Sequence, residues 1–173
     1  MATIMCTKKL WHAIGDGRTL PHCSDPSLEP GLLGVWGAKP VALPEGDFCV
    51  ALHETTYLTL VLPLEPLPAF LAHFTRALAS ELEYLGIPGE MIMEELSASF
   101  ERIEFARHWN RSLVGSLNDI GHNLGWVLAQ EKVADGRAVA RIQHWLNRMP
   151  HCGREMPFPN QAVSLLFSGA SSA

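Results

Sequence analysis

Two apolar stripes at helical spacing do most to limit what this chain can become. Leu67, Phe70, Leu71, Phe74, Leu78, Leu82 and Leu85 recur every three or four residues up to Gly86, and Leu113, Leu117, Ile120, Leu124, Val127 and Leu128 repeat the pattern further on. Such stripes define amphipathic helices whose apolar side must be buried against another layer. Pro66 and Pro68 stand where a first helical turn tolerates proline, and Gly86 suits the position just past a helix end. The spacing predicts helices over 67–85 and over 112–131.

The other layer is expected to be a sheet. Phe48 to His53 and Thr55 to Leu62 are rich in β-branched and aromatic residues around Glu54, and read as an antiparallel hairpin. Ser99 to Ala106 alternates, with Ile103 and Phe105 on one side and Arg102 and Glu104 on the other. With 3–8 and 33–38 this gives strands at 3–8, 33–38, 48–53, 55–62 and 99–106. Lys9 to Ile14 forms a helical turn, and Pro88 opens a shorter helix with Met91, Ile92 and Leu96 inward. Asp135-Gly136 breaks the second long helix, after which Arg137 to Met149 forms another, burying Ala138, Ile142, Trp145 and Met149 and folding back as a helical hairpin. Ala162 to Phe167 reads as an edge strand. The fold class is α+β: a small, mostly antiparallel sheet with the 67–85 and 112–131 helices on one face, and a C-terminal helical hairpin.

A chain of 173 residues fits one domain, 1–167, with a loop-rich insertion at 16–47 crowded with Gly and Pro and a disordered tail at 168–173. A net charge of −5 argues against general nucleic-acid binding, which draws its affinity from neutralising phosphates. Only 18% of residues are charged, so apolar patches and a partner or oligomer interface are expected. No apolar run reaches transmembrane length and no signal-peptide pattern opens the chain, so a cytoplasmic protein without membrane association is expected. Cys6, Cys23, Cys49 and Cys152 then read as reduced thiols.

The densest polar stretch is Asn110-Arg111-Ser112-Leu113-Val114-Gly115-Ser116-Leu117-Asn118-Asp119, at the opening of the second long helix. Asn110 or Ser112 can cap that helix, and Arg111 adds a cation beside N–H groups that lack intrahelical partners, a combination that attracts an anion. The candidate ligand-binding residues are Asn110, Arg111, Ser112, Gly115, Ser116 and Asn118. Asp119 and His122 are the candidates for proton transfer, and Asn118 and His122, four apart, share a face. The alternative is a capped helix in which Gly115 allows close packing and Asp119 pairs with a base.

Together with Cys6-Thr7-Lys8-Lys9-Leu10, this block resembles a family of small bacterial proteins of unknown function. That family opens with a Cys-Thr-x-Lys-Leu strand and later carries Asn-Arg-Ser-Val-Leu-Gly-Ser-Met-Asn-Asp. Leu113-Val114 and Leu117 are volume-conserving departures from it. The resemblance implies a fold plan and a site location, and no chemistry.

Other groupings have plainer readings. Arg137, Arg141, His144 and Arg148 share a helical face suited to an acidic partner, while Glu81, Glu83, Glu90, Glu94 and Glu95 form an acidic run; the two could answer each other or simply be solvated. His22-Cys23 and His151-Cys152 supply zinc-type ligands, but adjacent ligands chelate one ion poorly, so no metal or other cofactor is expected. Trp36, Trp109 and Trp126 would make an aromatic wall beside the polar block if they gathered there, although core packing is the commoner fate of tryptophan. No phosphate-binding Gly-rich loop, dinucleotide fingerprint, His-Glu-x-x-His or Gly-x-Ser-x-Gly occurs. The expectation is a binding or regulatory protein that recognises a partner protein or a small anionic ligand near 110–119. The alternatives are an enzyme acting on a phosphorylated or nucleotide substrate, and an antitoxin-like interaction module.

Overall fold

The computed structural model describes residues 2–15, 32–43, 46–100, 103–107, 110–128, 136–151 and 158–170. Strands β1 (Ala2–Cys6), β2 (Val35–Leu43), β3 (Gly46–His53), β4 (Thr59–Pro63) and β5 (Ile103–Arg107) form one sheet in the order β4-β3-β2-β1-β5. The helices are α1 (Lys8–Ile14), α2 (Leu67–Tyr84), α3 (Gly89–Phe100), α4 (Arg111–Leu128), α5 (Gly136–Leu146) and α6 (Pro159–Ala170). No described helix is long and apolar enough to cross a membrane.

The class is α+β as expected, but the sheet is mixed rather than mostly antiparallel. β2, β3 and β4 form an antiparallel meander, whereas β1 runs parallel to both of its neighbours, β2 and β5. Parallel neighbours need a crossover of a dozen or more residues. The chain supplies one through α1 before β2, and another through α2 and α3 before β5.

The two long helices lie on opposite faces, which corrects the expectation that they share one. Leu60 and Leu62 of β4 and Cys49 and Ala51 of β3 join Phe70, Phe74, Leu78 and Leu82 of α2 in one core, together with residues of α1 and α6. Phe48, Val50, Leu52 and Val61, the alternate positions, join Leu113, Leu117, Ile120, Leu124 and Leu128 of α4 and Ile142 and Leu146 of α5 in the other. Side chains alternate across a strand, so the unbroken apolar runs in β3 and β4 mark strands buried on both sides. Gly37 allows a close approach: a Cβ at that position would stand 2.5 Å from Leu113 Cδ2, so a larger residue would have to displace the Leu113 side chain.

Three C-terminal details also differ. Residues 162–167 belong to α6, not to a strand; Val163 and Phe167, four apart, are buried while Leu165 is exposed, which is helical periodicity. Helix α6 includes Ser168 to Ala170, and residues 171–173 lie outside the described part. In α5, Ala138 and Ile142 are buried as expected, but Leu146 takes the third apolar position in place of Trp145, which remains 40% exposed.

A polar network closes the β4 edge of the sheet. Asn147, just past α5, accepts from Thr59 N at 2.7 Å and donates to Thr59 O at 3.0 Å, and Gln143 Oε1 accepts from Val61 N at 3.0 Å. Their remaining amide donors meet the fully buried Glu81 carboxylate of α2, from Gln143 Nε2 at 2.7 Å and Asn147 Nδ2 at 2.9 Å, with His144 Nδ1 at 2.9 Å. Unpaired edge groups are a liability in a sheet, and here side-chain amides occupy them.

Candidate functional site: a polar cleft along α4

The polar block begins with a capped helix. Asn110 Oδ1 accepts from Ser112 N at 3.1 Å and Leu113 N at 3.2 Å, while Asn110 Nδ2 donates to Glu54 Oε1 at 3.0 Å. The N–H groups of Ser112 and Leu113, which an anion at this terminus would use, are therefore taken, and a carboxylate stands beside the cap. Arg111 is exposed. Trp109 lies outside the described residues.

Beyond the cap, successive polar residues separate onto two stripes, because neighbours on a helix are turned by about 100°. Arg111, Gly115, Asn118 and His122 form one. Ser112, Ser116, Asp119 and Asn123 form the other, and this stripe lines a cleft of about 380 Å³ with Ile120, Tyr57, Leu146, Met149, Pro150 and His151. Of the expected site residues, the structure brings Ser112, Ser116 and Asp119 together in the cleft and leaves Arg111, Gly115, Asn118 and His122 outside it. Gly115 does not serve close packing, since a Cβ there would meet nothing within 4 Å. No side-chain hydrogen bond or ion pair joins Ser112, Ser116, Asp119 or Asn123 to another described residue, so Asp119 does not pair with a base there.

The opposite wall is held by an unusual turn. Tyr57, 4% exposed, adopts φ +61°, a left-handed conformation that bulky side chains rarely take. Strain of this kind costs about 1–3 kcal/mol and persists only where surrounding contacts enforce it. Here Tyr57 N donates to His53 O at 3.0 Å, Thr59 Oγ1 donates to Tyr57 O at 3.2 Å, and Thr56 N donates to His53 Nδ1 at 3.2 Å. With Nδ1 accepting, neutral His53 carries its proton on Nε2. Burial pushes the His53 pKa down to about 4, keeping the ring neutral. The turn carries the Tyr57 ring to within 4.9 Å, centroid to centroid, of His151.

Among the cleft's polar and aromatic residues, Tyr57, Asn123 and His151 are the ones not expected there from the sequence. Asn123 continues the i, i+4, i+7 series of Ser112, Ser116 and Asp119, which was a legible signal. Tyr57 and His151 are 94 positions apart, and only the tertiary fold joins them. For Trp36 the core fate holds, and no tryptophan wall forms around it. That residue is fully buried in the α2-side core, edge-on to Phe74 at 5.1 Å, while Trp126 is 65% exposed.

The basic stripe on α5 and the acidic run meet within the chain. His144 contacts Glu81 and stacks on Tyr84 at 3.6 Å, and an Arg148 N–H donates to the Tyr84 hydroxyl. Arg141 is exposed and has interactions of its own, and the Arg137 side chain lies outside the described part. Among the acidic residues Glu95 is also buried, accepting from Leu32 N, Leu33 N and Ser99 Oγ. Burial raises the Cys6 thiol to about 12 and Cys49 well above its ordinary range, which leaves both inert. No group of three or more His, Cys, Asp or Glu placed to hold a metal ion occurs among the described residues, which exclude His22, Cys23 and Cys152.

The family described as Domain of unknown function (DUF6933) matches residues 3–162. No curated protein and no solved structure matches the chain.

Proposed function

The chain belongs to this family of unknown function, and from the cleft we propose that it is a binding protein for a small polar ligand held between α4 and the segment after α5. One observation carries this reading. Four polar side chains on a single helical stripe face a cleft without internal partners, opposite a tyrosine held in a strained backbone conformation. Small-molecule sites characteristically combine apolar walls with a few convergent polar groups. Leu146, Met149, Pro150 and the Tyr57 ring supply the walls, and Ser112, Ser116, Asp119 and Asn123 the polar groups. Asp119 favours a ligand that presents N–H or O–H donors or a positive charge at that point, so the anion expected at the capped helix start is not the ligand of this cleft.

Native mass spectrometry of protein purified without an affinity tag tests the reading. A copurified small molecule, lost in Asp119→Asn with the melting curve unchanged, is the expected result; a ligand retained by that variant would overturn it. A second reading has a specific basis, since Asp119 and His151, residue types able to act in proton transfer, line the same cleft. Turnover of the copurified molecule that disappears in His151→Gln, with binding retained, would establish the enzyme reading in place of simple binding.

A further inference from the structure

Helices α2 and α5 straddle the β4 edge of the sheet and are joined across it around Glu81, which gathers Gln143, His144 and Asn147. Toward the Pro63 end of β4 the same two helices leave a groove of about 540 Å³, a size within the range of roughly 300–1,000 Å³ usual for small-molecule sites. Phe48, Val61, Leu62 and Pro63 form its floor, and Ala77 and Ser80 of α2 face Val139 and Ala140 of α5 across it. Small side chains at the facing positions keep it open. A further strand cannot extend the sheet here. Outward-facing positions alternate along β4, and the N–H groups at Thr59 and Val61 are bound by Asn147 and Gln143, while Pro63 has none. The floor therefore offers apolar surface and no free backbone donor.

Charge enters at the rim. Arg76 of α2 lines the groove, is exposed, and makes no ion pair or hydrogen bond with another described residue. His73, one turn earlier, pairs with Glu65 at 3.5 Å, and His144 Nδ1 is directed at Glu81. Asp47, exposed at the start of β3, also lines the groove and forms no ion pair with Arg76.

We propose that this groove binds a small amphiphilic carboxylate, an aliphatic or aromatic acid whose apolar body lies on Phe48, Val61 and Val139 and whose carboxylate meets Arg76. A guanidinium presents a planar fork of donors that a carboxylate fits bidentately. Removing the apolar body from water supplies the non-directional part of the affinity. An alkylammonium of the same length would meet like charge at Arg76, and an acid too short to reach the floor would keep only a contact screened by solvent and salt. The groove shares no lining residue with the α4 cleft.

Calorimetric titrations of the full chain with sodium octanoate below its micellar range, against octylammonium chloride and sodium acetate at equal ionic strength, test it. Saturable octanoate binding about tenfold or more tighter than either control is expected. Arg76→Ala, at an exposed position, should weaken octanoate by about tenfold or more with the melt unchanged. Ala77→Leu and Ala140→Leu, which fill the groove from opposite walls without removing a polar group, should each abolish binding. Asp119→Asn, in the cleft, should leave it intact. Octylammonium bound as tightly as octanoate, no loss in Arg76→Ala, or undiminished binding in a filling variant that melts like the parent would overturn the proposal. Loss of octanoate binding in Asp119→Asn would overturn it by moving the ligand to the α4 cleft. A dimer in sedimentation equilibrium that Ala140→Leu dissociates would overturn it by giving the groove to a second copy of the chain.

Discussion

The α2–α5 network and the α4 cleft are both clusters of polar side chains beside a helix, yet they differ in where their hydrogen bonds go. Around Glu81 the interactions stay inside the protein, with Gln143, His144 and Asn147 on its carboxylate and the two amides also bonded to the β4 backbone. Along Ser112, Ser116, Asp119 and Asn123 no internal partner is present among the described residues. A buried charge is tolerable only when it is paired and hydrogen-bonded, so the first cluster has a folding role. Side chains at the second cluster meet solvent and are available to a ligand. Polar density alone does not separate the two; internal satisfaction does.

The sharpest way to break this contrast is Glu81→Ala. It strands the Gln143 and Asn147 amides that close the sheet edge, and should cost about 3–5 kcal/mol in a denaturant melt. A loss below about 1 kcal/mol would remove the folding role assigned to the network. Leu124→Ala, on the fully buried side of α4, should cost about 2–5 kcal/mol and loosen the cleft floor with the helix. A surface-sized effect would mean that α4 is not anchored as described.

The third expectation concerns pH and the turn beneath Tyr57. The His53 pKa is depressed from 6.5 to about 4 in the folded protein, so the unfolded chain binds more protons between those values. Its contribution is fully present above about pH 6.5 and is lost as pH falls toward 4, amounting to on the order of 3 kcal/mol. His53→Gln should flatten the acid side of the stability profile. An unchanged profile would show that His53 does not titrate this way. The smallest stability change is expected at Gly115→Ala, which should stabilise by about 0.5–1 kcal/mol because the site is open and helical. Destabilisation there would reveal a close contact that the bare surface does not show.

Much of this contrast could be read in the chain, and the parts that could not have physical reasons. The two apolar stripes located α2 and α4 to within a few residues, because helical burial repeats locally. The face each helix covers depends on strand pairing. The continuous apolar runs Phe48 to Leu52 and Thr59 to Leu62 carried that information, as marks of strands covered on both sides. Glu81 lies on the stripe of Leu78, Leu82 and Leu85, so its burial had a local signal, but the amides that satisfy it come from more than 60 positions away. In the polar block, the spacing of Ser112, Ser116 and Asp119 showed that they share a face. That Tyr57 and His151 complete the cleft depends on a strained turn and a distant loop, which no periodicity encodes.

Whether the Ser112–Asn123 stripe is open to a ligand can be read by amide chemical-shift mapping with a small polar fragment library. Hits are expected whose perturbations centre on Ser112, Ser116, Asp119, Asn123, Tyr57 and His151, and which vanish in Asp119→Asn while its stability stays within about 0.5 kcal/mol of the parent. Fragments that perturb only other surfaces, or an Asp119→Asn variant destabilised by several kcal/mol, would contradict it and place this stripe with the folding network.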